Sequence, residues 1–169
     1  RDIDIRTDVS KYRVFRNGTL SEEVTDISDV WADDLVTVAL GCSFTFENAL
    51  LRNDIPVRHI EKGLNVPMYR TNIDLVPAGR FGGKMVVTMR PIPQAQVAQA
   101  HEISRRFPQA HGAPIAKGDP AQIGIADLSQ PDWGDAVEIK AGEVPVYWAC
   151  GVTPQNVLLD AELPLCITH

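Results

Sequence analysis

The residues best placed to do chemistry sit at two corners built to one plan. An apolar run at 35–40 leads into Gly41-Cys42-Ser43 and then Phe44-Thr45-Phe46-Glu47. A second run at 144–149 leads into Cys150-Gly151-Val152-Thr153-Pro154. Each pattern predicts a buried strand, a tight turn and the first turn of a helix. The free amides of a helix start, with the positive end of its dipole, favour a bound anion. Strand carboxyl ends are also where ligands sit in open α/β sheets. Two such corners would hold a small dianion between them.

The chemistry available at those corners follows from residue type. Ser43 and Thr153 read as helix caps, with Pro154 suited to a first helical turn. A thiolate at Cys42 or Cys150 would be favoured by the helix start, but no His is adjacent in sequence to activate either, and a buried Cys commonly serves as a small apolar filler. Glu47 misses the capping-box offset from Ser43 by one residue, which frees its carboxyl for acid or base work. Arg70, Thr71 and Asn72 place a cation and hydrogen-bonding groups on one extended segment, and Arg90 stands at a strand end before Pro91; a guanidinium fork suits a carboxylate. His111 and Asp119 bracket a Gly/Pro loop of the kind that often moves protons. Arg58-His59-Ile60-Glu61 would put His59 and Glu61 on one face if extended, half of a metal site.

The elements that must position these groups are legible in part. Alternation at 2–5 predicts an edge strand, and 12–15 with the Asn17-Gly18 turn signal predicts a hairpin. The acidic stretch 25–34 predicts a short helix capped by Thr25 or Ser28. Residues 54–83 read as loops around one extended segment at 66–72. A strand is expected at 84–90, ending at Pro91. Helical spacing of Val97, Ala100, Ile103 and Phe107 predicts a helix over 94–107. Ile123-Gly124-Ile125 and 136–139 read as further strands. Strands and helices alternate, which favours an α/β or mixed α+β class.

Composition sets outer bounds. The chain has 169 residues, 44% apolar and 22% charged, an ordinary globular balance for about one domain. A net charge of −6 argues against a broad nucleic-acid or acidic-membrane surface. No apolar run approaches the roughly 20 residues that span a bilayer, and the first residues lack the apolar core of a signal peptide. Three cysteines do not make a disulfide framework, so a reducing, cytoplasmic setting is expected. With no initiator Met, the chain is expected to be a fragment. There is no phosphate-cradling loop, dinucleotide fingerprint, paired-Cys zinc site or Gly-x-Ser-x-Gly elbow.

Taken in order, Gly41-Cys42-Ser43-Phe44-Thr45-Phe46-Glu47, Arg58-His59, Asn65-Val66-Pro67-Met68-Tyr69-Arg70-Thr71-Asn72, Met89-Arg90-Pro91, His111-Gly112-Ala113-Pro114, Gly118-Asp119-Pro120, Gly142-Glu143-Val144-Pro145-Val146 and Trp148-Ala149-Cys150-Gly151-Val152-Thr153-Pro154-Gln155 closely resemble the D-glutamate cyclase family of hydro-lyases. The resemblance implies a mixed-sheet α/β sandwich with a smaller α+β portion, the latter at about 60–142, within one compact fragment (1–169) of a longer chain. It departs at Ala116-Lys117, where a His is expected. The implied reaction is cyclisation of D-glutamate to 5-oxo-D-proline with loss of water. The expected catalytic residues are Glu47, His111 and Asp119, the last orienting His111. The expected substrate contacts are Cys42, Ser43, Arg70, Thr71, Asn72, Arg90, Cys150, Gly151 and Thr153, with the Ser43 and Thr153 amides facing oxyanion charge. No cofactor is expected, a divalent metal being the one admissible addition. The partner is a small dicarboxylic amino acid, without nucleic acid or membrane, in a chain able to form homo-oligomers. Two other readings stand beside this one: a dehydratase of another small carboxylic acid, and a non-catalytic acid-binding module.

Overall fold

The computed structural model describes residues 2–169 as a mixed α/β fold. In chain order its elements are β1 (Tyr12–Arg16), β2 (Thr19–Val24), α1 (Phe44–Leu51), α2 (Arg58–Lys62), β3 (Met68–Asp74), β4 (Lys84–Pro93), α3 (Val97–Ser104), β5 (Ala116–Lys117), β6 (Glu143–Ala149), α4 (Val152–Asp160) and β7 (Cys166–Thr168). The chain divides into two compact units: 2–39 with 76–83 and 154–169, and Leu40–Leu75 with Lys84–Thr153.

In the first unit β1 is central to a three-stranded antiparallel sheet, order β2-β1-β7. The β1–β2 hairpin turns through Asn17 and Gly18, both at positive φ, as the turn signal predicts. Tyr12, Val14 and Ile27 form its small core. Two expectations fail here. Residues 2–5 form no strand, and the helix expected at 25–34 reduces to a single 3-10 turn at Ser28–Val30, without a side-chain cap. Asp26 instead accepts from the Ser28 amide, a local turn that competes with helix.

The second unit holds a four-stranded antiparallel sheet, order β3-β4-β6-β5. Alternation along β4 separates two cores. Thr88, Arg90 and Ile92 pair with Trp148, Val146 and Val144 of β6. Ile92, Val146 and Trp148 pack with Phe46 and Leu50 of α1 and Ala100 of α3. Val87, Met89 and Tyr147 face the other way, against Ile123, Ile125 and Val137. One face of the sheet is therefore covered by helices and the other by irregular chain.

Several expectations are corrected in this unit. The strands expected at 123–125 and 136–139 are irregular, although Ile125 and Val137 are buried as strand residues would be. Left-handed turns at Gly124 and Gly134, where an added Cβ would lie 2.9 Å from Asn72 Cβ and 2.0 Å from the Val66 carbonyl oxygen, interrupt extended backbone here. Strand β4 does not stop at Pro91 but continues to Pro93. Strand β3 pairs only with residues 84–88, so the missing Pro91 amide costs no ladder bond on that side. The segment read as loop at 54–83 contains α2, closed by Gly63 at φ 64. The buried strand expected at 35–40 is absent. Val36, Val38 and Leu40 are 88%, 69% and 58% exposed, and no described strand pairs with them. An apolar run becomes a strand only where a partner supplies its hydrogen bonds.

Candidate functional site

The chemistry converges beneath α1, on the helix-covered face of the larger sheet. Strand alternation turns Arg90 inward, and α1 brings Glu47 and Ser43 down onto it. Arg90 is fully buried. Its Nε donates to Glu47 Oε1 at 2.9 Å and its Nη2 donates to the same oxygen. Nη2 also donates to Ser43 Oγ at 3.2 Å, and Nη1 to Thr88 Oγ1 at 3.0 Å. The guanidinium carbon lies 5.2 Å from the Phe46 ring and 5.3 Å from the Trp148 ring. Such cation–π contacts strengthen when desolvated. Four of the five guanidinium donors are thus committed within the protein.

His59 completes the cluster. Its Nε2 is 3.0 Å from Glu47 Oε1, and both side chains are buried. Neighbouring Arg58 anchors this helix: it is buried, donates to the Glu138 carbonyl at 2.9 Å and pairs with Glu143 and Glu61. Since α2 is a helix, His59 and Glu61 diverge. The metal half-site expected from that pair does not form, and no group of three His, Cys, Asp or Glu side chains able to hold a metal occurs among the described residues.

Electrostatics assign different states to these groups. Burial raises the Glu47 pKa, but hydrogen bonding to His59 and the charge and hydrogen bonds of Arg90 outweigh it, leaving the carboxyl below its ordinary value. Burial lowers the Arg90 pKa against the pull of Glu47, yet a guanidinium stays protonated in proteins. The pair is therefore ionised at neutral pH.

His111 stands beside this cluster. The Gly41 backbone packs directly on the residues before it: a Cβ at Gly41 would lie 1.9 Å from the Gln109 carbonyl oxygen. Only glycine permits that approach. His111 itself is left-handed at φ 74, and its Nε2 is buried without a hydrogen-bond partner. Burial and then the charge of Arg90 lower its pKa, so the imidazole is neutral near pH 7.

The other expected site residues take different roles. Asp119 does not hydrogen-bond to His111; it accepts from the Ala121 amide at 3.0 Å and caps a 3-10 turn. Arg90 was expected to hold a substrate carboxylate, but the carboxylate it holds is Glu47. Arg70 lies on the edge strand with its side chain 65% exposed, 3.5 Å from Asp132 and 5.0 Å over the Trp133 ring. Thr71 is buried and donates to the Met85 carbonyl at 2.7 Å, while Asn72 is exposed and packs at Gly124. Cys42 is exposed and Cys150 buried; burial pushes the Cys150 thiol up, away from thiolate. Gly151 faces open space.

Neither corner carries the expected cap. Ser43 has helical backbone angles, makes no cap bond and accepts from Arg90 instead. Thr153 lies inside α4. Its hydroxyl accepts from the Val86 amide at 2.9 Å and donates to the Val86 carbonyl at 3.1 Å, continuing the ladder where β6 ends. Its amide donates to the Cys150 carbonyl, so it is not bare. The two corners meet β4 at different places, Ser43 on the Arg90 side chain and Thr153 on the Val86 backbone, about 13 Å apart along the strand. Thr88, Phe46 and Trp148 pack around the Arg90 guanidinium.

His59 is the residue that sequence reasoning placed in the wrong context. Its signal was present, a His beside an Arg on a segment read as loop, but its partner lies 12 residues upstream on another element.

The chain closely matches proteins of known family. A model of the D-glutamate cyclase family matches residues 36–169. A Jannaschia sp. (strain CCS1) protein named "Putative hydro-lyase" is 76% identical over 168 residues, 99% of this chain and 63% of that protein. Proteins given the same description are 58% identical in Bordetella petrii, over 99% of this chain and 64% of that one, and 63% identical in Thermoanaerobacter sp. (strain X514), over 98% and 63%. The chain therefore spans just under two thirds of the length of these relatives. No helix among the described residues is long and apolar enough to cross a membrane. On the strength of the family match over most of its length, this chain belongs to the D-glutamate cyclase family.

Proposed function

We propose that the full-length protein is a lyase that closes D-glutamate to 5-oxo-D-proline and water. The observation that carries this reading is an ionised Glu47–Arg90 pair beside a neutral His111 whose buried Nε2 has no partner. Cyclisation forms a bond from the α-nitrogen to the side-chain carboxyl carbon and breaks a carbon–oxygen bond to release water. From the ammonium and carboxylate forms, the nitrogen gives up two protons in all and the departing oxygen gains two, leaving as water. A neutral imidazole suits each of these two transfers, accepting a proton from nitrogen and delivering it to the departing oxygen. Burial, and then the charge of Arg90, lower the pKa of His111 and so keep it in the accepting form.

Glu47 remains anionic and is therefore unsuited to donate a proton. Its role is to hold Arg90 and to face the substrate nitrogen. Arg70, exposed on edge strand β3 and only loosely matched to Asp132, is the guanidinium that would meet a substrate carboxylate, with Asn72 two residues along the same strand. The reacting groups already share one molecule, so proximity contributes less than in a two-body reaction. Proton transfer and the fixed field of the ion pair contribute more.

The test is incubation of the full-length protein with D-glutamate, following 5-oxoproline by chiral chromatography. Turnover should fall about 10²- to 10⁴-fold in His111→Ala while the melting temperature holds. Unchanged turnover in that variant removes His111 from the mechanism. Stabilisation by dicarboxylates without any product would instead identify an acid-binding module, since a ligand raises stability by mass action.

A further inference from the structure

The two oxygens of Glu47 are not equivalent. Oε1 receives Arg90 Nε and Nη2 and lies 3.0 Å from His59 Nε2. Oε2 accepts no hydrogen bond among the described residues, and it is not among the buried atoms lacking a partner, where His111 Nε2 stands alone. It therefore reaches the surface through the 6% of the Glu47 side chain that stays exposed. An ionised carboxylate has acceptor capacity at both oxygens, so Oε2 is the one open to an incoming N–H donor.

What holds the carboxylate in this orientation is a clamp from both sides. Arg90 approaches Oε1 from the sheet and His59 from α2. His59 cannot drift, because Arg58 ties the same helix to Glu143 and the Glu138 carbonyl, and the Phe44 ring lies 6.4 Å from the imidazole. Without His59, Glu47 would be free to rotate about its last torsion and share both oxygens with the guanidinium fork, the bidentate geometry such pairs favour. That rotation would consume Oε2.

We propose that His59 is a positioning residue: donating from Nε2 to Glu47 Oε1, it keeps Oε2 free for the amino group of the substrate. This deepens the cyclase reading and rests on it for the identity of the donor. The role requires a donor at the Nε2 position and not a titrating ring.

Substitution by two amides of different reach tests it in the full-length protein. Gln places its amide nitrogen near the position of Nε2, whereas Asn falls short of it. H59Q should retain kcat/KM for D-glutamate within about threefold, with an unmoved pH profile. H59N should lose about a hundredfold, the cost of a misplaced reacting group. Equal loss in both, with a vanished limb in the pH profile, would show a titrating role and overturn the proposal, as would an unaffected H59N. Melting curves establish that both variants fold. If the wild-type protein makes no 5-oxoproline, the cyclase reading falls separately. The clamp is then read by nitrogen-15 NMR, where an exchange-protected His59 Nε2–H that disappears in Glu47→Gln supports it, and its absence in the wild-type protein refutes it.

Discussion

Arg90 and Arg70 lie on neighbouring strands of one sheet, and each offers the same planar fork, yet they have opposite fates. Arg90 is fully buried against the Phe46 and Trp148 rings and bound to Glu47, Ser43 and Thr88. Arg70 sits on the edge strand in water, loosely matched to Asp132 and stacked over Trp133. The difference shows that burial decides what an arginine can do. A desolvated guanidinium must be neutralised and hydrogen-bonded by its own protein, and so cannot also serve as an open clamp. An exposed one gains little stability from its partner and remains available to a ligand.

Breaking each pair sharpens this contrast. Arg90→Met should have the largest effect, because it strands a buried Glu47 charge; about 3–5 kcal/mol of unfolding free energy should be lost in urea titrations. A loss below about 1 kcal/mol would mean that the pair contributes no more than an exposed one.

Acid should loosen the same pair next. Glu47 has a folded-state pKa below its unfolded value, so its contribution is complete above the unfolded carboxyl range and declines as pH falls through the folded value. Stability of the wild-type protein should fall more steeply below about pH 4.5 than that of a Glu47→Gln, Arg90→Met double variant, which lacks the titrating group. Parallel curves would contradict this.

Arg70→Met should have the smallest effect on folding, at most about 1 kcal/mol, and that should shrink further in salt. Under the proposed function the same substitution should raise KM for D-glutamate. A change in folding free energy as large as that of Arg90→Met would erase the distinction between the two arginines.

Much of the scaffold was legible in local patterns. The Asn17-Gly18 hairpin, helix α1 after Ser43 and strand β6 occur where those patterns put them, while α3 covers only Val97–Ser104 of the helix expected over 94–107 and β4 runs past Pro91 to Pro93. Five residues of the neighbourhood, Cys42, Ser43, Glu47, Arg90 and His111, were also identifiable by type and position. Their roles were less so. Asp119 reads as an orienting carboxylate next to a loop histidine, but the nearer amide of Ala121 takes it. Thr153 reads as a cap and is instead a strand surrogate for Val86.

The sequence by itself determined what depends on neighbours within a few residues: hydrophobic period and turn chemistry. Tertiary structure decided what depends on distant partners. Glu47 and Arg90 are 43 residues apart, and only the sheet register and the packing of α1 bring them together and bury the guanidinium completely. The run at 35–40 shows the converse. Its local pattern is that of a buried strand, yet it stays exposed because backbone hydrogen bonds and burial must come from another segment, which no local pattern can supply.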